Sequence, residues 1–441
     1  MSAAAPRVLF IAPSAYPLGG VQTWLDYVLP GLAQMGWEPL LGLVSGVLHD
    51  TSQYLAAHPG HRYTIIDNPT GSPEGRVRAL MASISRTRPD LVVSVNVYDC
   101  YEAVARLRTS GATAPRIAMA DHSLEPDFLI DAIEHRDVID GFIGTNRLST
   151  VLALRQGIAP DVVHYAPYGV PPTKFLPRAG READGLLRIG YSGRLDQDQK
   201  RADDIAGVVD ALHSQGVQFH LRVAGGGPAL AQVRERLREH EASGRVAFLG
   251  VLAAADLQHN VYLWADALLV TSFWETGPIV IWEAMACGLP VVSARYVGSG
   301  AEAALAHDVN CLLFDIGDRE AAAYQLARLR DANLRVALAQ QGLRLVQERY
   351  TRARSIEEWD KVLRAILARQ ATGHAPQGPA RAASGRLDRL LGVRAGETVR
   401  RLAGRRFKHS EPGGEWPHTG HALSPRDEQA HWRLAQEVDA A

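Results

Sequence analysis

The chain has 441 residues and an almost balanced charge, with 47 Lys and Arg against 48 Asp and Glu. This length is too great for one ordinary domain, and the balanced charge gives no general attraction to nucleic acid. The 3 cysteines are far apart and odd in number, which argues against a disulfide framework and favours a reducing cytosol. No apolar run is long enough to cross a bilayer, so we expect a cytoplasmic protein whose membrane contact, if any, is peripheral.

The first half of the chain alternates short apolar segments with amphipathic ones. Residues 7–13 (RVLFIAP) predict a buried parallel strand. A Gly-Gly turn and a helical stretch follow, in which Pro30 predicts a kink or break. Further strands are predicted at 89–96, 115–122 and 141–146. This β–α repetition predicts a doubly wound parallel sheet, and we place a first Rossmann-like domain at residues 1–178.

The same alternation starts again after a proline-rich break at 167–180. Residues 187–193 (LRIGYSG) predict a strand, and 203–216 predict an amphipathic helix with apolar residues at i, i+3, i+4 and i+7. More strands are predicted within FHLRVAG, RVAFLG, ADALLVTS and LPVVSA. We place a second Rossmann-like domain at 183–352 and expect a helix at 353–370 to return to the first domain.

Residues 371–441 break the pattern and are rich in Gly, Pro, Ala and Arg. We interpret them as a partly disordered tail with one short helix at most. Within residues 381–408, nine basic residues outnumber Asp388 and Glu397, and leucines lie among them: Arg381, Arg386, Arg389, Arg394, Arg400, Arg401, Arg405, Arg406 and Lys408. Such a segment could dock on an anionic membrane surface, and the commoner alternative is a solvated basic linker.

The most informative segment is ETGPIVIWEAMACGLPVV, residues 275–292. It directly follows a predicted strand, and open α/β sheets bind ligands at the carboxyl ends of their strands. Gly277 and Pro278 suit a turn into a helix. The N–H groups of Ile279 and Val280 at the helix start would then form an anion site.

Two glutamates delimit this turn. Glu283, about one and a half turns into the helix, could accept two hydrogen bonds from a diol such as ribose. Glu275, in the loop, could do the same for sugar hydroxyls. The alternative is that both are ordinary solvated side chains, because two glutamates at this spacing are common by chance.

A second charged segment, YSGRLDQDQKRADD, follows the first strand of the second domain. Arg194 and Lys200 are suitable partners for a diphosphate, because Arg offers a bidentate fork and Lys a mobile point charge. The alternative is two solvated basic residues. Asp196 and Asp198 superficially form an Asp-x-Asp metal motif, but they lie in a run of mixed charge, so we predict no metal site.

Glycine turns follow strands in both halves. Gly225, Gly226 and Gly227 lie between a strand and a helix without the full Gly-x-Gly-x-x-Gly spacing. They could face a phosphate or form only a tight turn. Gly19 and Gly20 have the same two interpretations in the first half.

Taken together, these motifs resemble the retaining glycosyltransferases of family 4. The resemblance covers about residues 7–367 and rests on GGVQTW, SGRLDQDQK, VAGGGP, FLGVL and the Glu275–Glu283 segment, which fits the Glu-x7-Glu signature of that family. It implies the GT-B fold, in which two Rossmann-like domains face each other across a cleft. It also implies hexosyl transfer from a nucleotide sugar, UDP- or GDP-linked, to a glycan or lipid-linked acceptor, with retention of configuration and no cofactor.

The resemblance also implies roles for individual residues. Arg194 and Lys200 would hold the diphosphate, Glu283 would bind the ribose, and Glu275 would contact the donor sugar. His122 would lie near the reacting sugar, although on its own it would be an incidental loop histidine. The remaining donor contacts would come from Gly19, Gly20, Gly193, Gly226, Gly227, Thr276, Gly277, Pro278, Ile279 and Val280.

Three other functions stay open on the residues alone. A sugar phosphorylase would need inorganic phosphate as co-substrate, and a nucleotide-sugar epimerase would work without an acceptor. A catalytically silent nucleotide-sugar-binding protein would bind the donor and do neither.

Overall fold

The computed structural model describes residues 4–15, 19–46, 49–111, 114–173, 185–369, 385–409, 415–420 and 423–441. They form two compact units. The first comprises Met1–Pro167 and Ser355–Trp432, and the second comprises Tyr168–Arg354 and Arg433–Ala441. Within the described ranges, no helix has both the length and the apolar character that a bilayer span requires.

The first unit contains a seven-stranded sheet in which every pair is parallel. Its strands are β1 Arg7–Pro13, β2 Glu38–Ser45, β3 Tyr63–Asp67, β4 Leu91–Val95, β5 Arg116–Asp121, β6 Gly141–Gly144 and β7 Val163–Tyr165. Their order is β3-β2-β1-β4-β5-β6-β7. The order therefore reverses between β1 and β4, as in a doubly wound sheet.

Helices connect these strands. They are α1 Gly20–Gln34, α2 Thr51–Ala57, α3 Pro73–Thr87, α4 Asp99–Thr109, α5 Pro126–Glu134 and α6 Arg147–Arg155. Helix α1 continues through Pro30, so the expected break is absent. Pro30 is exposed, while Trp24, Leu25 and Val28 on the same helix are fully buried, and this packing holds the helix despite the missing N–H.

The second unit repeats the architecture with six parallel strands. They are β8 Leu187–Ser192, β9 Phe219–Ala224, β10 Val246–Gly250, β11 Ala267–Val270, β12 Val291–Ala294 and β13 Leu312–Phe314. The order β10-β9-β8-β11-β12-β13 places the reversal between β8 and β11. The two doubly wound sheets predicted from the β–α repetition are therefore confirmed.

The helices of the second unit cover both faces of its sheet, where separate apolar clusters form. They are α7 Asp203–Ser214, α8 Leu230–Arg236, α9 Arg238–Ala242, α10 Ala254–Leu257, α11 Ile279–Ala286, α12 Ser299–Glu302, α13 Arg319–Arg328 and α14 Ala332–Arg349, with a π-helical turn at Gln258–Tyr262 after α10. One cluster contains residues of α7 and α13, and the other contains residues of α11 and α14.

The observed division of the chain differs from the predicted one. The first boundary lies at Pro167 and Tyr168, whereas the predicted boundary at 178–183 falls entirely outside the described residues. Helix α15, Arg352–Ala368, packs Trp359 against Trp24 with ring centroids 4.6 Å apart. This contact lies within the first unit.

The prediction of one short helix at most in the tail is wrong. The described part of the tail contains α16 Arg386–Leu391, α17 Val393–Leu402 and α18 Pro425–Asp439. A buried carboxylate anchors α17: Glu397 accepts hydrogen bonds from Ser72 Oγ and, at 2.8 Å, from Thr70 Oγ1. Composition pointed to disorder because it cannot show this polar contact with a segment more than 300 residues earlier.

Candidate active site

The predicted site residues of the second unit lie at its topological switch point. Residues 193–200 follow β8, and residues 271–277 follow β11, its neighbour in the sheet. In open α/β sheets the crevice outside the carboxyl ends of two such strands is where ligands bind. The site can therefore be built from these two loops.

The loop after β8 is organised by Asp196. Its Oδ1 accepts hydrogen bonds from the backbone N–H groups of Gln199 at 2.8 Å and Lys200 at 3.0 Å, and its Oδ2 accepts one from Arg194 Nε at 2.7 Å. Burial alone would raise the pKa of Asp196, but these hydrogen bonds lower it below its ordinary value. The carboxylate thus stays charged and holds both predicted cations in one short loop.

Lys200 and Glu275 form a direct ion pair. Lys200 Nζ lies 2.5 Å from Glu275 Oε1, and the two side chains are only 18% and 6% exposed. Ser272 Oγ donates a second hydrogen bond to the same carboxylate oxygen at 2.6 Å. Lys carries three donors, so this ammonium can bind a further anion while it keeps Glu275.

The guanidinium group of Arg194 is hydrogen-bonded within the protein along one edge and exposed along the other. Nε is bonded to Asp196, and Nη2 donates to Gln199 Oε1 at 3.1 Å. The side chain is 62% exposed. Most of the guanidinium fork is therefore accessible to a ligand, in a fixed orientation.

Two hydrogen bonds to backbone carbonyls join the two loops. Phe273 N–H donates to Gln199 O at 2.7 Å, and Thr271 Oγ1 donates to Lys200 O at 2.7 Å. These contacts fix the position of Lys200 relative to the end of β11. The loop after β8 and the loop after β11 are consequently held together.

The turn after Glu275 leads directly into α11. Thr276 is buried, and Gly277 has φ of 135°, which an L side chain rarely adopts. Pro278 is the N-cap, and its carbonyl accepts from Ile281 N–H at 2.8 Å. The N–H groups of Ile279 and Val280 are in the first turn, where a helix supplies no acceptor.

Glu283 lies further along α11 and is half-buried. Tyr262 Oη donates a hydrogen bond to its Oε2 at 2.8 Å. Burial raises the pKa of Glu283, although the Tyr262 hydroxyl and the charge of Arg352 act in the opposite direction. The carboxyl group is therefore held in a fixed position and is easier to protonate than an ordinary glutamate.

The glycine turn after β9 packs on the loop after β8. A Cβ on Gly225 would lie 1.9 Å from Gly193 O, and one on Gly227 would lie 2.4 Å from Leu195 O. Both glycines also have positive φ, 140° and 147°. The tight-turn interpretation therefore accounts for these two, while Gly226, whose Cβ would meet only Val251 at 3.3 Å, is under no such constraint.

The other predicted site residues belong to the first unit. Gly19 precedes α1, and Gly20 is its first residue, and both are exposed. His122 follows β5 and is buried, with its ring centroid 4.8 Å from that of Trp24. Burial lowers the pKa of His122 to about 3, so its imidazole is neutral at physiological pH.

Sequence reasoning missed the residues that position the charged groups. Asp196 was considered only as a metal ligand, although an aspartate that precedes a polar turn by three residues commonly caps its backbone N–H groups. Ser272 could have been found by its position three residues before Glu275. Tyr262 has no local signal, because it reaches Glu283 from another element.

Residues 187–331 match the model of the family described as "Glycosyl transferases group 1". This range includes Arg194, Lys200, Glu275 and Glu283. Among curated proteins, the chain is 33% identical over 157 residues to one component of the human phosphatidylinositol N-acetylglucosaminyltransferase, covering 35% of this chain and 31% of that protein. It is 25% identical over 252 residues to the lipopolysaccharide 1,6-galactosyltransferase of Escherichia coli K12, covering 55% and 66%.

The fold is shared with solved structures. Anabaena Alr3699/HepE in complex with UDP and glucose matches with a TM-score of 0.67 and 20% sequence identity, over 82% of this chain and 100% of that one. At this identity the likeness shows the fold, which is GT-B. The chain spans less than two thirds of the length of the human and E. coli relatives.

Proposed function

We propose that this chain is a group 1 glycosyltransferase and transfers a glycosyl group from a nucleotide sugar to a glycan or lipid-linked acceptor. The observation that carries the proposal is the pair of cations at the switch point of the second unit. Asp196 organises Arg194 and Lys200 in one loop, beside the start of α11. Proteins concentrate fixed positive charge in this way where they bind a phosphate ligand.

The leaving group of such a reaction is a nucleoside diphosphate, which gains negative charge as the bond to the sugar breaks. The exposed guanidinium of Arg194 and the remaining donors of Lys200 would stabilise that charge. The first-turn N–H groups of Ile279 and Val280 would add the positive end of a helix dipole. The guanidinium, the ammonium and the helix N–H groups are already held in place before the donor binds, so the reaction requires little reorganisation of the site.

The two glutamates would hold the rest of the donor. Glu283, fixed by Tyr262, would accept hydrogen bonds from the ribose hydroxyls. Glu275, fixed by Lys200 and Ser272, would orient the donor sugar. We further propose UDP as the leaving nucleotide, supported by the UDP complex of the Anabaena protein with the same fold, and GDP as the alternative.

We propose retention of anomeric configuration, as the family resemblance implies. Glu275 is paired with Lys200 at 2.5 Å, so its carboxylate is engaged and is a poor candidate for a covalent nucleophile. In line with that resemblance, we propose that the acceptor attacks on the face from which the diphosphate leaves. Proton NMR of the first-formed product decides this, because inversion would give the opposite anomer and contradict the proposal.

Two measurements test the function. Thermal shifts with UDP, GDP and ADP identify the nucleotide, and turnover of the matching nucleotide sugar with glycan acceptors tests transfer. Turnover that requires inorganic phosphate would indicate a phosphorylase, and conversion without an acceptor would indicate an epimerase. Donor binding without either would indicate a silent binding protein and reject the proposed activity.

We propose that the protein works in the cytoplasm and contacts an anionic membrane through α16, α17 and the segment that follows α17. Exposed apolar side chains on these helices include Leu390 at 81% and Leu402 at 86%. Seven basic residues of the same segment are also exposed: Arg386, Arg389, Arg394, Arg401, Arg405, Arg406 and Lys408. Apolar insertion combined with basic charge is what binding to anionic lipid requires.

Vesicle sedimentation tests this contact. The full chain should bind phosphatidylglycerol vesicles and not phosphatidylcholine vesicles, and the triple variant Leu390→Ser, Leu391→Ser and Leu402→Ser should bind at least about tenfold more weakly. The matched control replaces two exposed apolar residues of the second unit, Val309 and Tyr324, by serine and should bind normally. Equal binding by both variants would mean that these helices are a solvated linker.

A further inference from the structure

The first unit contains a group of metal-ligating side chains outside the proposed active site. Asp26 lies on α1, His58 caps the end of α2, and His61 follows three residues later in the turn His58-Pro59-Gly60-His61. One potential ligand atom from each of the three side chains lies within 4.8 Å of the others. We propose that these three residues bind a divalent transition-metal ion, with zinc as the best match.

A nitrogen of each histidine contacts the Asp26 carboxylate. His58 Nδ1 lies 2.8 Å from Asp26 Oδ1 and 2.9 Å from Oδ2, and His61 Nε2 lies 2.8 Å from Oδ1. The two imidazole rings are nearly parallel, with an interplanar angle of 24° and centroids 6.4 Å apart. Both nitrogens are thus aimed at the same small region.

A metal needs only a small rearrangement of this geometry. Tetrahedral zinc with bonds of 2.0–2.2 Å to nitrogen and oxygen places its ligand atoms about 3.3 Å apart. The observed separations of 2.8 Å would have to open by about half an ångström. Rotation of the Asp26 side chain supplies this motion most readily, because it is 41% exposed.

The burial of both histidines distinguishes this group from a chance cluster of surface side chains. The side chains of His58 and His61 are only 7% and 6% exposed. Tyr54, fully buried, packs its ring 4.8 Å from that of His58, and its hydroxyl has no hydrogen-bond partner among the described residues. Two enclosed imidazoles beside a half-open carboxylate leave further coordination positions for water.

The donor set indicates the class of metal. Two imidazoles and one carboxylate suit zinc, copper, nickel and iron, whereas magnesium and calcium prefer oxygen ligands. Two ligands come from one turn and the third from another helix, so the ion would cross-link α1 to the segment between α2 and β3. The expected role is to stabilise the first unit, independently of sugar transfer.

Metal binding by the full chain tests the proposal. Calorimetric titration with zinc chloride should give one equivalent with a Kd of about 10 µM or tighter, and cobalt should give the visible d–d absorption of a four- or five-coordinate ion. His61→Gln and Asp26→Asn should each weaken zinc binding by about a hundredfold. The two variants alter different elements, so a folding defect in one leaves the other informative.

A second histidine beside a carboxylate provides the matched control. His240 is buried with Asp210 Oδ1 4.0 Å from its Nε2, too far apart for the same arrangement, and His240→Gln should leave zinc binding unchanged. Zinc should also raise the melting temperature of the wild type and of the control, but not that of Asp26→Asn. A zinc Kd weaker than about 10 µM, or equal affinity in all variants, would overturn the proposal and leave a hydrogen-bonded His–Asp–His group.

Discussion

Lys200 Nζ lies 2.5 Å from Glu275 Oε1, and this contact joins the loops that follow two neighbouring strands of the second sheet. The two residues are 75 positions apart in the chain. Because both side chains are largely buried, each charge depends on the other. This relationship links the stability of the second unit to the chemistry that we propose for it.

Replacement of Lys200 by methionine should therefore lower both the stability of the second unit and the rate of glycosyl transfer. Glu275 would be left buried without its counter-ion, which commonly costs about 3–5 kcal/mol. Glu275→Gln combined with Lys200→Met should recover part of that loss, since no charge is then unpaired. Urea unfolding of the single and double variants measures the coupling, and strictly additive effects would contradict a buried ion pair.

Arg194→Ala should separate catalysis from stability. The side chain is 62% exposed, so we expect a change of less than about 0.5 kcal/mol in the free energy of unfolding. Turnover should fall about a hundredfold, which corresponds to about 2.7 kcal/mol of transition-state stabilisation. Arg234, 58% exposed and paired with Glu241, provides a matched control whose replacement by alanine should leave turnover unchanged.

The raised pKa of Glu283 predicts a pH effect on donor binding. A carboxylate accepts more hydrogen bonds from a ribose than a protonated acid, so UDP affinity should fall as the pH falls through this pKa. The fall should begin above the range of an ordinary glutamate, because burial favours the protonated form. UDP-binding titrations from pH 8 to about 5 compare the wild type with Glu283→Gln, which should bind UDP weakly at every pH.

The raised pKa of Glu283 should also make stability depend on pH, in the direction opposite to that of UDP affinity. Between the unfolded and folded pKa values the folded state binds more protons, so the free energy of unfolding falls as the pH rises. Glu283→Gln should remove this decrease. A parallel pH dependence of unfolding in the two proteins would contradict the raised pKa.

Replacement by alanine should reduce stability to different extents at two adjacent glycines. Gly225→Ala places a methyl group 1.9 Å from Gly193 O and imposes a strained φ, so we expect a loss of several kcal/mol or misfolding. Gly226→Ala meets only the flexible side chain of Val251 and should cost less than about 1 kcal/mol. Melting temperatures check the contrast, and equal losses would show that the turn is not limited by this contact.

Glu397→Ala should detach the tail helices from the first unit. The side chain is fully buried and accepts hydrogen bonds from Thr70 and Ser72, the latter being the N-cap of α3. Its loss leaves both hydroxyls without their acceptor and removes one of the two carboxylates near Arg400, which keeps its ion pair with Asp388, at a cost of about 3 kcal/mol. Limited proteolysis within 386–402 should accelerate. An unchanged cleavage rate would show that Glu397 does not anchor these helices.

Local patterns were sufficient for the two domains and for the charged motifs. Short apolar runs and amphipathic periods reflect burial within one element, and these predicted the β–α alternation on both sides of residue 180. Arg194, Lys200 and Glu275 could be selected because their residue types match a phosphate and a sugar. The same reasoning failed for the tail, where the buried Glu397 is hydrogen-bonded to Ser72 and Thr70.

The sequence by itself determined the β–α alternation of the two domains and the charged motifs to which we assign the binding of a diphosphate. Only the tertiary structure decided how these groups combine: Lys200 with Glu275, Glu283 with Tyr262, and Asp26 with His58 and His61. The physical reason is that periodicity records whether a position is buried, whereas pairing depends on the order of strands and on packing between distant segments. Ion pairs and hydrogen bonds form between groups a few ångströms apart in space, and the number of residues between two groups does not reveal how close they lie.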